Sequence, residues 1–290
     1  VMERLGLSPK VCLDRNPQLV FGRVTGWGQT GPRAPSAGHD INYIAAAGAL
    51  GAIGRAGERP VPPLNLVGDY AGGAMYLAVG MLAGIISARH TGVGQVVDAA
   101  MVDGAAQLMT MFHALAATGE WSGQRGENLL DGGAPFYDTY ETSDQRFVAV
   151  GAIEPKFYAQ LLDGLGLDPA ALPDQNDREG WPTLRGVFAA RFRARTRDQW
   201  NATFLDTDAC VTPVLNSSEL AADLHLAARK TMVDIDGFVQ AAPAPRFSST
   251  QSDLPTRPVA PGTNSRRVLS EAGFGAAEID ILIAGEVVHE

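Results

Sequence analysis

The sequence predicts an α/β chain of 290 residues, with strands and helices alternating in its first part and a small α+β unit behind them. Three observations lead there. The run Leu19-Val20-Phe21-Gly22-Arg23-Val24-Thr25 is compact, apolar and rich in β-formers, as a buried strand is, and it leads into a glycine-rich loop. A long Ala/Gly-rich apolar stretch, 70–88, is followed by the turn Gly92-Val93-Gly94 and a second short strand over 95–98. From Phe136 the pattern changes to short segments that read as a hairpin, 137–140 and 146–151, with helices after it.

Taken in order, 5–15 reads as the end of a helix, a loop at Ser8-Pro9 and a short helical turn. After the first strand, Gly26-Trp27-Gly28-Gln29-Thr30-Gly31 matches the dinucleotide fingerprint G-x-G-x-x-G. That fingerprint needs its last glycine to open a helix that receives the pyrophosphate, whereas Pro32 and Pro35 follow here and no acidic strand end comes about 20 residues on. A glycine-rich loop over a ligand is the better reading. A helix is expected over 40–53, eroded at its far end by Gly48, Gly51, Gly54 and Gly57. The polar loop 55–63 and Asn65-Leu66-Val67-Gly68-Asp69 then deliver Asp69 to the start of the 70–88 helix. A helix over 99–118 and a glycine-rich surface excursion over 121–135 precede the hairpin. Glu154-Pro155 is a helix start, with proline at the first helical position, and that helix runs through 157–165. Helices over 181–193 and 197–205, a strand over 210–214, a helical 218–229, an extended proline- and serine-rich tail over 241–262 and a last helix over 276–284 complete the chain. Arg191, Arg193, Arg195 and Arg197 alternate, and the plain reading is a solvated basic face.

Composition narrows the function. A hydrophobic share of 46% is enough for a sizeable core, and a net charge of -9 argues against a general binder of nucleic acid or anionic membrane, which needs clustered positive charge. Cys12 and Cys210 stand far apart without partners at metal-ligand spacing, so neither a disulfide framework nor a zinc site is expected, and a reducing, cytoplasmic setting is. The first residues lack a basic region followed by an apolar core and a cleavage site, so export is not expected. The stretch 70–88 suits a buried helix of a soluble protein better than a membrane span, which needs about 20 strongly apolar residues. The opening Val1-Met2-Glu3-Arg4-Leu5-Gly6-Leu7 reads as the last turns of a helix already under way, so a preceding segment is expected.

No nucleophile elbow, Walker A loop, H-E-x-x-H or Cys-x-x-Cys pair occurs. What remains is a set of acids and one well-placed histidine. His39 lies beside Asp40 at a loop-to-helix junction, where unpaired N–H groups favour anions, although a mere capping pair fits the same residues. Asp69 and Glu154 also stand at helix starts and read equally well as caps.

The segments Gly26-Trp27-Gly28-Gln29-Thr30-Gly31-Pro32, Ala37-Gly38-His39-Asp40-Ile41-Asn42-Tyr43, Asn65-Leu66-Val67-Gly68-Asp69, Gly94-Gln95-Val96-Val97-Asp98-Ala99-Ala100-Met101 and Ala152-Ile153-Glu154-Pro155 together resemble the family III CoA-transferase superfamily, and within it the branch that racemises 2-methylacyl-CoA thioesters. The resemblance extends to the tail Ala244-Pro245-Arg246-Phe247-Ser248. It implies a Rossmann-like large CoA-binding and catalytic domain over 1–120 and 243–290, a small α+β domain over 136–230, and linkers over 121–135 and 231–242. It also implies an interlocked homodimer, with the site between the large domain of one subunit and the small domain of the other. His39 and Asp69 fall on the two acid/base positions, Glu154 on a glutamate bonded to that aspartate, and the backbone N–H of Asp40 on the enolate-oxygen site. Arg4 and Tyr43 fall near the CoA portion, with Gly38 allowing close approach. No cofactor beyond the CoA of the substrate, no metal and no nucleic acid are implied. The chain departs from the pattern in lacking the strand–helix units and basic residues with which its relatives begin, so an N-terminally truncated chain is the expectation.

The implied chemistry is coherent. A thioester α-hydrogen is weakly acidic, so its removal needs a positioned base, worth about 10²–10⁴ in rate, and donors where charge develops on oxygen. A second carboxylate beside the aspartate favours a shared proton. Two other readings stay open: a CoA-transferase in which Asp69 is the nucleophile, and an inactive truncated chain that serves as a binding or interaction subunit.

Overall fold

Ser8 opens the first helix of the computed structural model, its hydroxyl accepting from the Val11 N–H at 3.3 Å, with Pro9 in the first turn of α1 (Pro9–Arg15). The structure describes residues 2–290. The chain falls into two units, one running up to Val214 and the other Leu215–Glu290.

In the first unit, β1 (Val20–Thr25) pairs in parallel with β2 (Gln95–Ala100), Val20 opposite Gln95 and Thr25 opposite Ala100. Parallel strands need a crossover, and here it carries α2 (Asp40–Ala46), a π-helical stretch Leu66–Met75 and α3 (Tyr76–Thr91). The expected helix over 40–53 is shorter: it stops at Ala46, and only the 3₁₀ turn Leu50–Ala52 follows the Gly48 break. The expected helix over 70–88 begins earlier, at Leu66, and its first ten residues are π-wound. Its N-cap is Asn65, so Asp69 lies inside the first turn rather than capping it. After β2, the expected 99–118 helix divides into α4 (Met101–Leu108) and α5 (Thr110–Ala117).

The burial of the long helix also differs from expectation. Gly68, Gly72, Gly73, Gly84 and Ala88 are its buried residues, whereas Leu66, Tyr70, Met75, Val79, Leu82 and Ile86 are exposed. The closest packing is available only to the smallest side chains. A Cβ at Gly80 would stand 2.7 Å from Val97 Cγ1 and one at Gly84 2.8 Å from Val20 Cγ1, so the glycine face lies on the strands and the bulky residues turn away. Leu66–Thr91 is long and apolar enough to cross a membrane by length and composition. On its other flank the π-helical stretch meets α4 backbone to backbone, because a Cβ on Gly104 would overlap the Gly72 carbonyl. A small core of Ile44, Ala49 and Ala105 sits beside this contact.

The segment 121–135, expected to run over the surface, is instead pinned down. Asp131 accepts from the N–H groups of Gly126 and Asn128, each at 2.8 Å, and Asn128 and Ala134 are fully buried. The hairpin β3 (Tyr137–Glu141) and β4 (Phe147–Gly151) forms as expected and gains a third antiparallel strand, β5 (Val211–Pro213). Three helices complete this layer: α6 (Pro155–Leu165), α7 (Trp181–Phe192) and α8 (Arg197–Phe204). The main core lies between them, built on Phe136, Tyr140, Leu161, Leu184, Phe188 and Phe192. Of the alternating arginines, Arg197 is not solvated: it is buried and donates to the Val214 carbonyl at 3.1 Å, while Arg193 stays exposed and pairs with Glu141 at 2.6 Å.

In the second unit, α9 (Leu224–Ala228) precedes a hairpin, β6 (Met232–Ile235) and β7 (Phe238–Ala241), where only a linker was expected. Its turn, Asp236-Gly237, has φ of 53° and 80°, the left-handed pair that a tight hairpin requires. α10 (Ser265–Glu271) and α11 (Ala276–Ala284) end the chain.

Candidate active site

The site is built at the start of α2. His39 occupies the N-cap, with extended backbone, and its N–H donates to Asn42 Oδ1 at 3.0 Å. Asn42 therefore closes the cap and the His39 imidazole does not; the ring is exposed. Asp40 follows as the first helical residue, and its N–H is one of the donors that a helix start leaves without an intrahelical acceptor.

The Asp40 side chain turns the other way and is buried. Its Oδ2 accepts from the N–H groups of Gly68 at 2.6 Å and Asp69 at 2.7 Å. Those are donors of the first turn of the π-helical stretch, so that helix is capped by a carboxylate from another element. Oδ1 is buried with no partner among the described residues. The Asp69 carboxylate is half-buried and accepts from Asn65 Nδ2 at 3.1 Å.

Tyr43 completes the cluster one turn along α2. Its ring is buried and meets Trp27 edge-on, with ring centroids 4.9 Å apart. Gly26 and Gly38 make the room: a Cβ on Gly26 would overlap the ring, and one on Gly38 would stand 2.8 Å from it. Burial, and then the nearby Asp69 charge, push the Tyr43 hydroxyl above its ordinary value, so it stays protonated and able to donate. Gly26→Ala is expected to displace this ring and cost about 1–3 kcal/mol by overpacking. A lowered urea midpoint, together with altered Trp27 fluorescence, checks that outcome.

The structure thus gathers Gly38, His39, Asp40, Tyr43 and Asp69 into one cluster. Glu154 is not joined to it within the chain: it is the exposed N-cap residue of α6, its carboxylate makes no capping bond, and no hydrogen bond links it to Asp69 among the described residues. Its charge is felt instead at Cys210, whose thiol is pushed up first by burial and then by Glu154 and Asp208. Near that thiol a cleft of about 610 Å³ is lined by Ile53, Arg55, Val61, Gly151 and Cys210. Arg4 is exposed in a turn, and no hydrogen bond or ion pair connects it to the cluster among the described residues. The neighbouring Glu3 is ion-paired with Arg23 of β1.

Sequence reasoning missed the roles of Asn42, Asn65 and the Asp40 carboxylate. Asn42 carried a readable signal, an amide three residues past the cap. The bond from Asp40 to Gly68 spans 28 residues and leaves no local pattern.

Comparison with known proteins adds to this geometry. A model described as CoA-transferase family III matches residues 1–266. The alpha-methylacyl-CoA racemase of Mus musculus is 43% identical over 294 residues, covering 100% of this chain and 76% of its own length. That of Homo sapiens is 42% identical over 292 residues, with the same coverage. Among solved structures, a CAIB/BAIF family protein from Brucella suis aligns with a TM-score of 0.77 at 21% identity, over 93% of this chain and 72% of that one.

Proposed function

Because the chain belongs to CoA-transferase family III, we propose that it interconverts the (2R) and (2S) epimers of 2-methylacyl-CoA thioesters by removing the α-proton on one face and returning a proton on the other. The racemase names of its mouse and human relatives support the reaction. One structural observation carries the site assignment: the Asp40 carboxylate holds the N–H of Asp69, so an uncapped imidazole and a half-buried carboxylate are presented from two neighbouring helix starts.

In this reading His39 and Asp69 exchange the roles of base and acid with the direction of reaction. The enolate oxygen rests against the Asp40 N–H, a donor fixed in place before the charge develops. The protonated Tyr43 hydroxyl, with Arg4 and Gly38, lies toward the CoA portion of the thioester. The substrate brings the CoA, and no further cofactor is invoked. Glu154 pairs with Asp69 in a homodimer.

Each pure epimer, incubated with the protein in deuterated water, should give the same epimer mixture carrying deuterium at the α-carbon. Adding an acceptor acid tests the rival reading, in which Asp69 is a nucleophile. Transfer of CoA to the acid without epimerisation would overturn the proposal.

A further inference from the structure

We propose that the Asp40 carboxylate is a positioning residue that ties the backbone of Asp69 to the His39-bearing helix start and so sets the geometry between the two proton-transfer groups. The inference rests on the functional reading above and goes beyond it. That reading uses the Asp40 N–H, whereas this one concerns the opposite end of the same residue.

Four features converge. Both bonds to Oδ2 are short, at 2.6 and 2.7 Å, and converge on one oxygen, which fixes the two N–H groups relative to it. One ends on the N–H of Asp69 itself, so the atoms from which its side chain springs are held directly. The approach depends on Gly68, where a Cβ would stand 2.7 Å from Oδ2 and 2.9 Å from Cγ. Lastly, the π-helical stretch is fixed on its other side by the Gly72–Gly104 backbone contact, leaving the Asp40 bonds to set its first turn.

The N-cap residue, Asn65, is itself an exposed asparagine, yet its amide donates to the Asp69 carboxylate and its side chain makes no capping bond. Instead a carboxylate comes from another element and is buried with Oδ1 unpartnered, an arrangement that costs free energy. That cost is matched to a need for precision. Misplacing a reacting group by about 1 Å can lower a rate about 10²-fold.

The test measures kcat and KM for epimerisation of a 2-methylacyl-CoA by the wild type, Asp40→Ala, Asp40→Asn and Gly68→Ala. Asparagine can still accept both N–H bonds, whereas alanine cannot, and Gly68→Ala keeps the carboxylate while pushing it away. Asp40→Ala and Gly68→Ala are expected to lose about 10²-fold in kcat with KM little changed, and Asp40→Asn to recover most of that loss. If Asp40→Ala does not fold, Gly68→Ala with Asp40→Asn carries the same comparison. A near-wild-type kcat in Asp40→Ala or Gly68→Ala, a loss confined to KM, or an Asp40→Asn variant as slow as Asp40→Ala overturns the inference. An inactive wild type overturns the functional reading first, and this inference with it.

Discussion

His39→Ala and Asp69→Ala are each expected to slow epimerisation of a 2-methylacyl-CoA by about 10²–10⁴-fold, the usual worth of a positioned acid or base. Both losses should fall on kcat, because neither group is assigned to holding the CoA portion. The two variants together separate the competing chemistries. A transferase with an aspartate nucleophile loses its activity with Asp69→Ala and is largely indifferent to His39→Ala, whereas the two-base scheme needs both. Asn42 accepts from the His39 N–H and the imidazole makes no capping bond among the described residues, so a rate loss in His39→Ala would not come from a lost side-chain cap. Chiral chromatography of the thioester, with circular dichroism to verify folding, reads the outcome.

Phe188→Ala is expected to destabilise the chain by about 3–5 kcal/mol, as large-to-small changes at filled aromatic positions do. Phe188 is fully buried, with ring centroids 6.1 Å from Tyr140 and 6.3 Å from Tyr158, and it lies in the cluster between β3, β4 and the helices α6 to α8. That cluster holds most of the large buried side chains, whereas the cluster beside the site contains, among the described residues, Ile44, Ala49 and Ala105 as buried members. Removing one ring opens a cavity that its aromatic neighbours cannot fill without leaving their rotamers. Urea denaturation followed by circular dichroism should show the loss as a lower midpoint.

Much of the fold was legible because period and punctuation agreed. The β-formers of 19–25, the hairpin from Phe136 and the Pro155 helix start all appear where their residue types place them. The misreadings share a cause, which is that small residues and long-range bonds carry weak local signals. The glycines of 66–91 mark a face that packs tightly, and they carry the larger apolar residues outward, so the stretch expected to be buried as a whole is buried on its small-residue face. Arg197 is buried with the adjacent Asp198 carboxylate and the Val214 carbonyl, 17 residues away, as acceptors, and the second of these leaves no local pattern. The hairpin over 231–242 is signalled by Asp236-Gly237, but four-residue strands offer little alternation. In the candidate site, His39 and Asp69 stand in legible motifs, whereas the bonds from Asp40 to Gly68 and Asp69 do not show in the sequence. Asp40 drew notice for its place beside His39, and the use of its carboxylate emerges only from the fold.

The central claim is that two different groups serve the two faces of the α-carbon. It is tested most directly by following deuterium entry into each pure epimer with His39→Ala and Asp69→Ala in deuterated water. The prediction is that inversion of the centre falls by about 10²-fold or more in both variants, and that each still exchanges the α-proton of one epimer readily, the opposite epimer in the two variants. Wild-type rates of exchange with both epimers in either variant would contradict it.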